Sequence, residues 1–94
     1  MGTEFRHEAD AKRYALYVDG TLAAVLDYRV NGGQISFNHT FTHPAFRGKG
    51  RAAELVEFAV NDVEMGAQYS IVPMCWYVAD WFASHPERAG LLSR

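Results

Sequence analysis

The hydrophobic period of the chain changes at Pro44, and this change limits the folds that the chain can adopt. Before Pro44, apolar and aromatic residues alternate with smaller or polar ones, which is the pattern of β-strands. Three such runs occur, over residues 12–18, 21–30 and 34–42. The turn-forming segments Asp19-Gly20 and Asn31-Gly32-Gly33 separate them. The first forty or so residues therefore predict antiparallel strands joined by hairpins.

After Pro44, apolar residues recur at helical spacing, and acidic or amide residues lie between them. The apolar set is Ala52, Leu55, Val56, Ala59 and Val63, and the polar set is Glu54, Glu57, Asn61 and Glu64. This pattern predicts a helix of about four turns. Gly66 follows it, at the place where a left-handed cap favours glycine.

The rest of the chain is shorter and more mixed. Residues 68–72 predict a short strand, whose pairing Pro73 limits. A second amphipathic helix is predicted around Tyr77, Val78, Trp81 and Phe82. It must end near His85, because a residue before proline avoids the α conformation. Residues 87–94 show no pattern that assigns them to an element.

This order of elements predicts an α/β fold with a mostly antiparallel sheet, packed by one main helix and a short C-terminal helix. The chain of 94 residues is the size of one small domain, so residues 1–94 are expected to form a single domain. With 49% hydrophobic and 21% charged residues, it has the composition of a folded protein.

Charge and cysteine content exclude several classes of function. A net charge of −2 gives no general attraction to nucleic acid or to an anionic membrane. The single cysteine, Cys75, excludes an intramolecular disulfide and fits a reducing, cytoplasmic setting. No apolar run approaches the roughly 20 residues that span a bilayer. No histidine or carboxylate pair has metal-ligand spacing, so we expect no metal.

The segment from Thr42 to Ala52 has the composition of an anion site, because it combines glycines and basic residues at the start of a helix. Gly48 and Gly50 allow a ligand to approach the backbone, and the first N–H groups of a helix have no partner within it. Arg47, Lys49 and Arg51 place three of the nine basic side chains within five residues. Such clustering suits a pyrophosphate better than a single carboxylate.

The composition of this loop also allows other interpretations. A solvated basic loop without a ligand is one of them. A P-loop is excluded, because it needs four residues between its glycines and a Ser or Thr after its lysine. Gly48-Lys49-Gly50-Arg51-Ala52-Ala53 fits the dinucleotide fingerprint formally. However, Pro73 and Met74 stand where that fold needs an acidic residue, and the remaining chain is too short for a second half.

The loop resembles the signature of the GNAT superfamily of acetyl-CoA-dependent N-acyltransferases. Arg47, Gly50 and Ala52 match its R-x-x-G-x-A motif, and His43-Pro44 matches the turn before it. The short length, His39-Thr40 and the run from Pro73 to Tyr77 resemble the minimal single-domain GNAT-like proteins of YjdJ type. Arg51 departs from the pattern, because larger members carry an aliphatic residue there.

The resemblance implies a cofactor site and its partners. The backbone amides of the motif would hold the pyrophosphate of acetyl-CoA, and the strand before it would pair with the pantetheine arm. The residues implied for coenzyme A are Phe41, Thr42, Arg47, Gly48, Lys49, Gly50, Arg51 and Ala52. The acceptor would be an amine, either a small molecule or an exposed protein lysine.

Candidates for the chemistry are few. No carboxylate lies between Asp27 and Glu54, so the strand beside the cofactor lacks the glutamate base that larger members use. His39 falls on the same face of the third strand as Ile35 and Phe37 in a regular alternation, and histidine is the residue type that can accept a proton at physiological pH. Cys75 follows the strand that lies beside it in a GNAT sheet. We therefore predict that Cys75 and His39 meet and are catalytic.

Structural roles for the same residues stay open. His39 fits a core histidine that hydrogen-bonds to the backbone, and Cys75 fits a small buried hydrophobe. Tyr77 could protonate a leaving thiolate, but it also fits the apolar face of its helix. The predicted function is acetyl transfer from acetyl-CoA to an amine, with Cys75 as a candidate carrier. The alternative is a module that binds or senses acyl-CoA without turnover.

Overall fold

A five-stranded sheet with two helices forms the structure, a computed structural model that describes residues 2–93. The elements are β1 (Thr3–Glu8), β2 (Arg13–Val18), β3 (Thr21–Asn31), β4 (Gln34–Thr42), α1 (Arg51–Gly66), β5 (Ser70–Pro73) and α2 (Trp76–Ala83). The strand order in the sheet follows the chain, from β1 to β5. The pairs from β1 to β4 are antiparallel, and β5 is parallel to β4. The predicted fold class is confirmed.

The core lies between the sheet and the two helices. From α1, five residues are buried: Leu55, Val56, Ala59, Val60 and Val63. They pack with inward residues of β2, β3 and β4, among them Leu16, Leu26 and Phe37, all of which have 0% exposure. Because burial of each large aliphatic side chain contributes about 1.5–3 kcal/mol, this stripe fixes α1 against the sheet. From α2, Val78, Trp81 and Phe82 join the same core.

A β-bulge in β4 reverses the side-chain alternation of that strand. Tyr28 of β3 pairs with Phe37, and Asp27 pairs with His39, so Asn38 is left without a partner. As a result, Phe37 is buried before the bulge, whereas His39 is exposed after it. The prediction that His39 shares a face with Ile35 and Phe37 is therefore wrong.

The two predicted hairpin turns are present. Asp19 and Gly20 both have positive φ, of 49° and 82°, as a tight turn between twisted strands requires. Gly32 has a φ of 62° at the turn between β3 and β4. The predicted strands therefore lie within one or two residues of the observed ones.

The ends of the chain were less predictable. After α2, a 3-10 segment covers Pro86–Leu92, a region to which the sequence assigned no element. A single side chain, Leu91, anchors it in the core, and Arg88 bonds to Asn61 and Glu64 of α1. A single buried residue produces no hydrophobic periodicity, so the sequence pattern does not predict this segment. Met1 and Arg94, the limits of the predicted domain, lie outside the described residues.

The cap of α1 differs from the prediction by one residue. Gly66 is the last helical residue, and Ala67 takes the left-handed conformation with φ of 55°. The N–H of Ala67 bonds to the carbonyls of Val63 and Glu64, which fixes this geometry. An alanine in this region is strained, because its Cβ lies close to the backbone.

We expect Ala67→Gly to raise the free energy of unfolding by about 0.5–1 kcal/mol, because glycine relieves this strain at a smaller entropic cost. Urea denaturation measures the difference. Ala79→Gly is the matched control, since Ala79 is exposed inside α2 and its replacement should lower the free energy of unfolding by about 1 kcal/mol. A loss of stability in Ala67→Gly would contradict the assignment of strain.

Candidate active site

The strands β4 and β5 separate close to Cys75, which the sequence predicts to be catalytic. They pair from Gln34 with Ser70 to Phe37 with Pro73, and then β4 continues to Thr42 while β5 ends. The N–H of Cys75 makes the last link, to the carbonyl of Phe37 at 2.9 Å. Beyond that point, no strand within residues 2–93 pairs with the β5 side of β4. Residues 38–42 thus have no partner strand on this side, and apart from the N–H of Thr40, which bonds to Cys75 Sγ, they offer a strand edge to an extended ligand.

Cys75 lies in this split, at the N-cap of α2. Its side chain is half-buried, and Sγ lies 3.6 Å from Thr40 Oγ1. Backbone N–H groups of Tyr77, Val78 and Thr40 also bond to the sulfur. Burial raises the pKa of the Cys75 thiol, but the bonds from Thr40 and from these N–H groups outweigh it, so the pKa lies below its ordinary value. The site therefore makes the Cys75 thiol more acidic, and the thiolate that it forms is the nucleophilic form of cysteine.

His39 does not contact Cys75. Because successive strand residues point to opposite faces, His39 lies on the face away from Thr40 and its sulfur partner. Its Nδ1 lies 3.5 Å from Asp27 Oδ2 on β3, and the two side chains are 65% and 48% exposed. The predicted meeting of Cys75 and His39 is thus wrong in its geometry. A chemical role for His39 stays a prediction.

The glycine loop lies at the start of α1, as the sequence predicts. Gly48 and Gly50 have φ of 79° and 73°, in the left-handed region that favours glycine. Gly50 is the N-cap of α1, with no side chain to cover the first N–H groups. A cavity of about 250 Å³ adjoins the loop. Its lining consists of Thr42, Phe46, Arg47, Gly48, Gly50, Arg51, Ala52 and Tyr77.

Six of the eight residues predicted to bind coenzyme A thus line one cavity. The other two are Lys49, which is exposed on the loop, and Phe41, which is 41% exposed on β4. Arg47 is also exposed, and its Nε donates to the carbonyl of Thr42 at 3.2 Å. The basic cluster and the end of β4 are therefore physically linked.

Arg51 carries a donor that an anion would satisfy. Its Nε is buried and has no hydrogen-bond partner within the described chain, although Nη1 bonds to Glu54 at 3.1 Å. A buried N–H without a partner costs about 1–3 kcal/mol. Arg51 also contributes to the lining of the glycine-loop cavity. The residues here fit a pyrophosphate, because they combine free helix N–H groups, positive-φ glycines and the unsatisfied Nε of Arg51.

Tyr77 connects the glycine-loop cavity to the cysteine. It lines the cavity, and its backbone N–H bonds to the sulfur of Cys75. Burial, with a smaller contribution from the charge of Asp80, raises the pKa of Tyr77. Next to it, Trp76 is 76% exposed rather than part of the core.

Sequence reasoning missed Thr40 and Asp27. Regular alternation puts Thr40 on the solvent side of the strand, and only the bulge at Asn38 turns it toward Cys75. Asp27 belongs to the neighbouring strand, and it meets His39 through the same register shift. Neither contact has a signal in the spacing of residues along the chain.

Comparison with known proteins defines the class. The fold and the glycine loop are those of an N-acyltransferase domain, and the family of GCN5-related N-acetyl-transferases matches residues 13–91. The chain therefore belongs to the GCN5-related N-acetyltransferase family. Among curated proteins, none matches the chain.

A solved structure supports the fold. It is a ribosomal-protein-alanine N-acetyltransferase from Brucella melitensis biovar Abortus 2308, which superposes with a TM-score of 0.57 at 21% sequence identity. The match covers 65% of this chain and 47% of that one, so the chain spans about half the length of this relative. At this identity the likeness shows the fold alone. In residues 2–93, no helix is long and apolar enough to cross a membrane.

We expect Thr40→Val to slow the reaction of Cys75 with iodoacetamide about 2- to 10-fold at neutral pH. Loss of the hydroxyl removes a bond that stabilises the thiolate, so the thiol pKa rises and the ionised fraction falls. The pH dependence of the alkylation rate should move to higher pH. Thr40→Ser, which keeps the hydroxyl, should react like the wild type.

Ser36→Ala serves as the control on the same strand, because its hydroxyl bonds only to the carbonyl of Arg29. Its alkylation rate should match that of the wild type. Equal rates for Thr40→Val and the wild type across pH would show that Thr40 does not set the state of the sulfur.

Proposed function

We propose that the protein transfers an acetyl group from acetyl-CoA to an amine, and that residues 1–94 act as one domain. The observation that carries the proposal is the arrangement of two features around Tyr77. One is the glycine-loop cavity, and the other is the split that holds Cys75. An anion site beside an activated thiol and an open strand edge suits a phosphate-bearing acyl thioester.

In this proposal, each part of the donor has its own residues. The N–H groups after Gly50, with Arg47 and Arg51, hold the pyrophosphate. The open edge at residues 38–42 pairs with the amides of the pantetheine arm. Acetyl-CoA supplies the activated thioester, which then lies toward Cys75. The acceptor is an amine, either on a small molecule or on a protein lysine.

Cys75 is proposed as the nucleophile. Its sulfur forms a bond to the acetyl carbon while the carbon–sulfur bond of the donor breaks, and Tyr77 gives its proton to the leaving sulfur. The neutral amine then attacks the acetyl-cysteine, the Cys75 thiolate is released, and the proton that the amine loses returns through solvent to the Tyr77 phenolate. His39 and Asp27 lie on the other face of the sheet, so His39 does not take the proton of the attacking amine directly, and its proposed part in the transfer is tested by His39→Ala.

The main alternative is a module that binds acyl-CoA without turnover. One observation favours it: no carboxylate side chain lines the glycine-loop cavity in the part of the chain that the structure describes. Turnover with amines separates the two, since the binding module releases no free coenzyme A. A reducing compartment such as the cytoplasm suits either function, because both leave Cys75 as a free thiol.

The anion site is tested by binding. We expect Gly50→Asp to weaken coenzyme A binding about 10- to 100-fold in calorimetry, because it adds a negative charge and a Cβ at a φ of 73°. Gly32→Asp is the matched control, with a similar φ of 62° in a distant hairpin, and should bind normally. Pantetheine alone should bind poorly. Equal affinity for pantetheine and coenzyme A would show that the loop does not bind the phosphates.

The chemistry is tested by intact-protein mass spectrometry. Mixing with acetyl-CoA should give one acetyl adduct, because a thioester exchanges with a thiolate at little cost in free energy. Cys75→Ser should abolish the adduct and amine acetylation together. His39→Ala should keep the adduct, because the imidazole does not contact the sulfur, and should slow only the transfer to the amine.

Two results would change the mechanism. If Cys75→Ser keeps full amine acetylation, the transfer is direct and Cys75 serves only to pack or orient. If His39→Ala loses the adduct, His39 acts on the sulfur in spite of its position in this structure.

A further inference from the structure

A second cavity, of about 410 Å³, lies at the other end of α1. It is bounded by the last turn of that helix, the inward face of the sheet and the segment that leads into β5. Its polar wall consists of His7, Tyr14, Tyr28 and Asp62, and Val30 and Met65 form part of its apolar rim. This volume is within the range of sites for small ligands.

The cavity is separate from the proposed acetyl-transfer site. The 16 residues of α1 place its two ends about 24 Å apart, with the glycine loop at the first end and the cavity at the last. Along β4, Ile35 at the cavity lies roughly 17 Å from Thr40 at Cys75. The fully buried Phe37 stands between them. A ligand held here cannot reach the cysteine.

Asp62 provides a fixed negative charge at the mouth. Tyr14 donates a hydrogen bond to its Oδ2 at 2.8 Å, and His7 Nδ1 lies 3.4 Å from the same oxygen. Both contacts use Oδ2, so among the described residues Oδ1 is not engaged. The side chain of Asp62 is 45% exposed, which leaves Oδ1 accessible to a donor.

Aromatic rings hold this carboxylate in place and form the wall beside it. The ring of His7 stacks on that of Tyr14, with centroids 4.3 Å apart, and its Nε2 lies 2.6 Å from the hydroxyl of Tyr28. Tyr69 lines the same cavity. Ring faces attract cations through their quadrupole, and the attraction adds to that of a nearby carboxylate.

The charge of the lining has one sign. Asp62 is its only acidic residue, and no lysine or arginine of the described chain lines the cavity. The Asp62 carboxylate would repel an anionic ligand, whereas a cationic donor bonds to Oδ1 and gains a charge attraction that a neutral donor lacks. A cation with an apolar body matches both the carboxylate and the aliphatic rim at Val30 and Met65.

We propose that this cavity binds a small organic monocation, a primary ammonium on an aromatic or aliphatic body. The ammonium donates to Asp62 Oδ1 and lies against the rings of Tyr28 and Tyr69, while the body packs on Val30 and Met65. The site is a ligand site independent of acetyl transfer, because its occupant is too far from Cys75 to be acetylated.

The test is a titration of the protein, without acetyl-CoA, followed by ¹⁵N–¹H correlation spectra. Benzylamine is the probe, with benzyl alcohol and benzoate as neutral and anionic counterparts of the same shape. We expect saturable shifts at the amides of His7 and residues 65–69 with benzylamine. Benzyl alcohol should bind at least tenfold more weakly, and benzoate should give no saturable shift.

Variants assign the binding to the cavity. Asp62→Asn keeps an oxygen for the Tyr14 bond but removes the charge, so benzylamine affinity should fall at least tenfold. Glu57→Gln, an exposed residue on the same helix, removes the same charge away from the cavity and should bind like the wild type. Val30→Trp, at the rim, should block benzylamine binding because the larger side chain fills the cavity. This variant tests the proposal even if Asp62→Asn does not fold.

Three results would overturn the proposal. One is equal affinity for benzylamine and benzyl alcohol in the wild type. The second is benzylamine shifts that map to the glycine loop or to Cys75 instead of residues 65–69. The third is unchanged binding in folded Asp62→Asn or in Val30→Trp.

Discussion

The separation of β4 from β5 after Phe37 is the constraint on which the rest of the site depends. Parallel pairing holds the two strands together only as far as Pro73, which has no N–H to extend the ladder. The chain then turns into α2, and Cys75 comes to lie beside the free edge of β4. If the pairing continued, strand β5 would occupy the place proposed for a pantetheine arm, and the sulfur would lose its contact with Thr40.

The local environment of Cys75 explains how the pKa of a half-buried thiol can be lowered without a neighbouring base. Burial alone would favour the neutral thiol, whereas the N-cap position and the hydroxyl of Thr40 supply donors to the thiolate. The donors dominate, because several hydrogen bonds converge on one sulfur. This arrangement replaces the imidazole that sequence reasoning assigned to the same role, and it leaves His39 paired with Asp27 on the opposite face.

Much of the fold could be predicted because it rests on local patterns. The spacing of Leu55, Val56 and Val63 fixes α1, and the pair Asp19-Gly20 fixes a hairpin through its positive φ values. The glycine loop could be predicted for the same reason, since Gly48 and Gly50 act through the backbone conformation that they permit.

The rest depends on interactions between distant residues. A one-residue bulge at Asn38 has no local signature, yet it exchanges the faces of every residue after it and thereby moves His39 out of the core and Thr40 toward Cys75. The anchoring of Leu91 is set by packing in the same way. The second cavity is also not predictable from local patterns, because the contact between Tyr14 and Asp62 joins residues 48 positions apart in the sequence.

The central claim is that an acyl thioester lies in the split between β4 and β5, with its phosphates on the glycine loop. A crystal structure of the protein with coenzyme A tests it most directly. The account predicts pantetheine amides hydrogen-bonded to residues 38–42, a pyrophosphate at the N–H groups after Gly50, and the thiol of coenzyme A beside Cys75 Sγ. A complex in which coenzyme A lies elsewhere, with the edge of β4 still open, would contradict it.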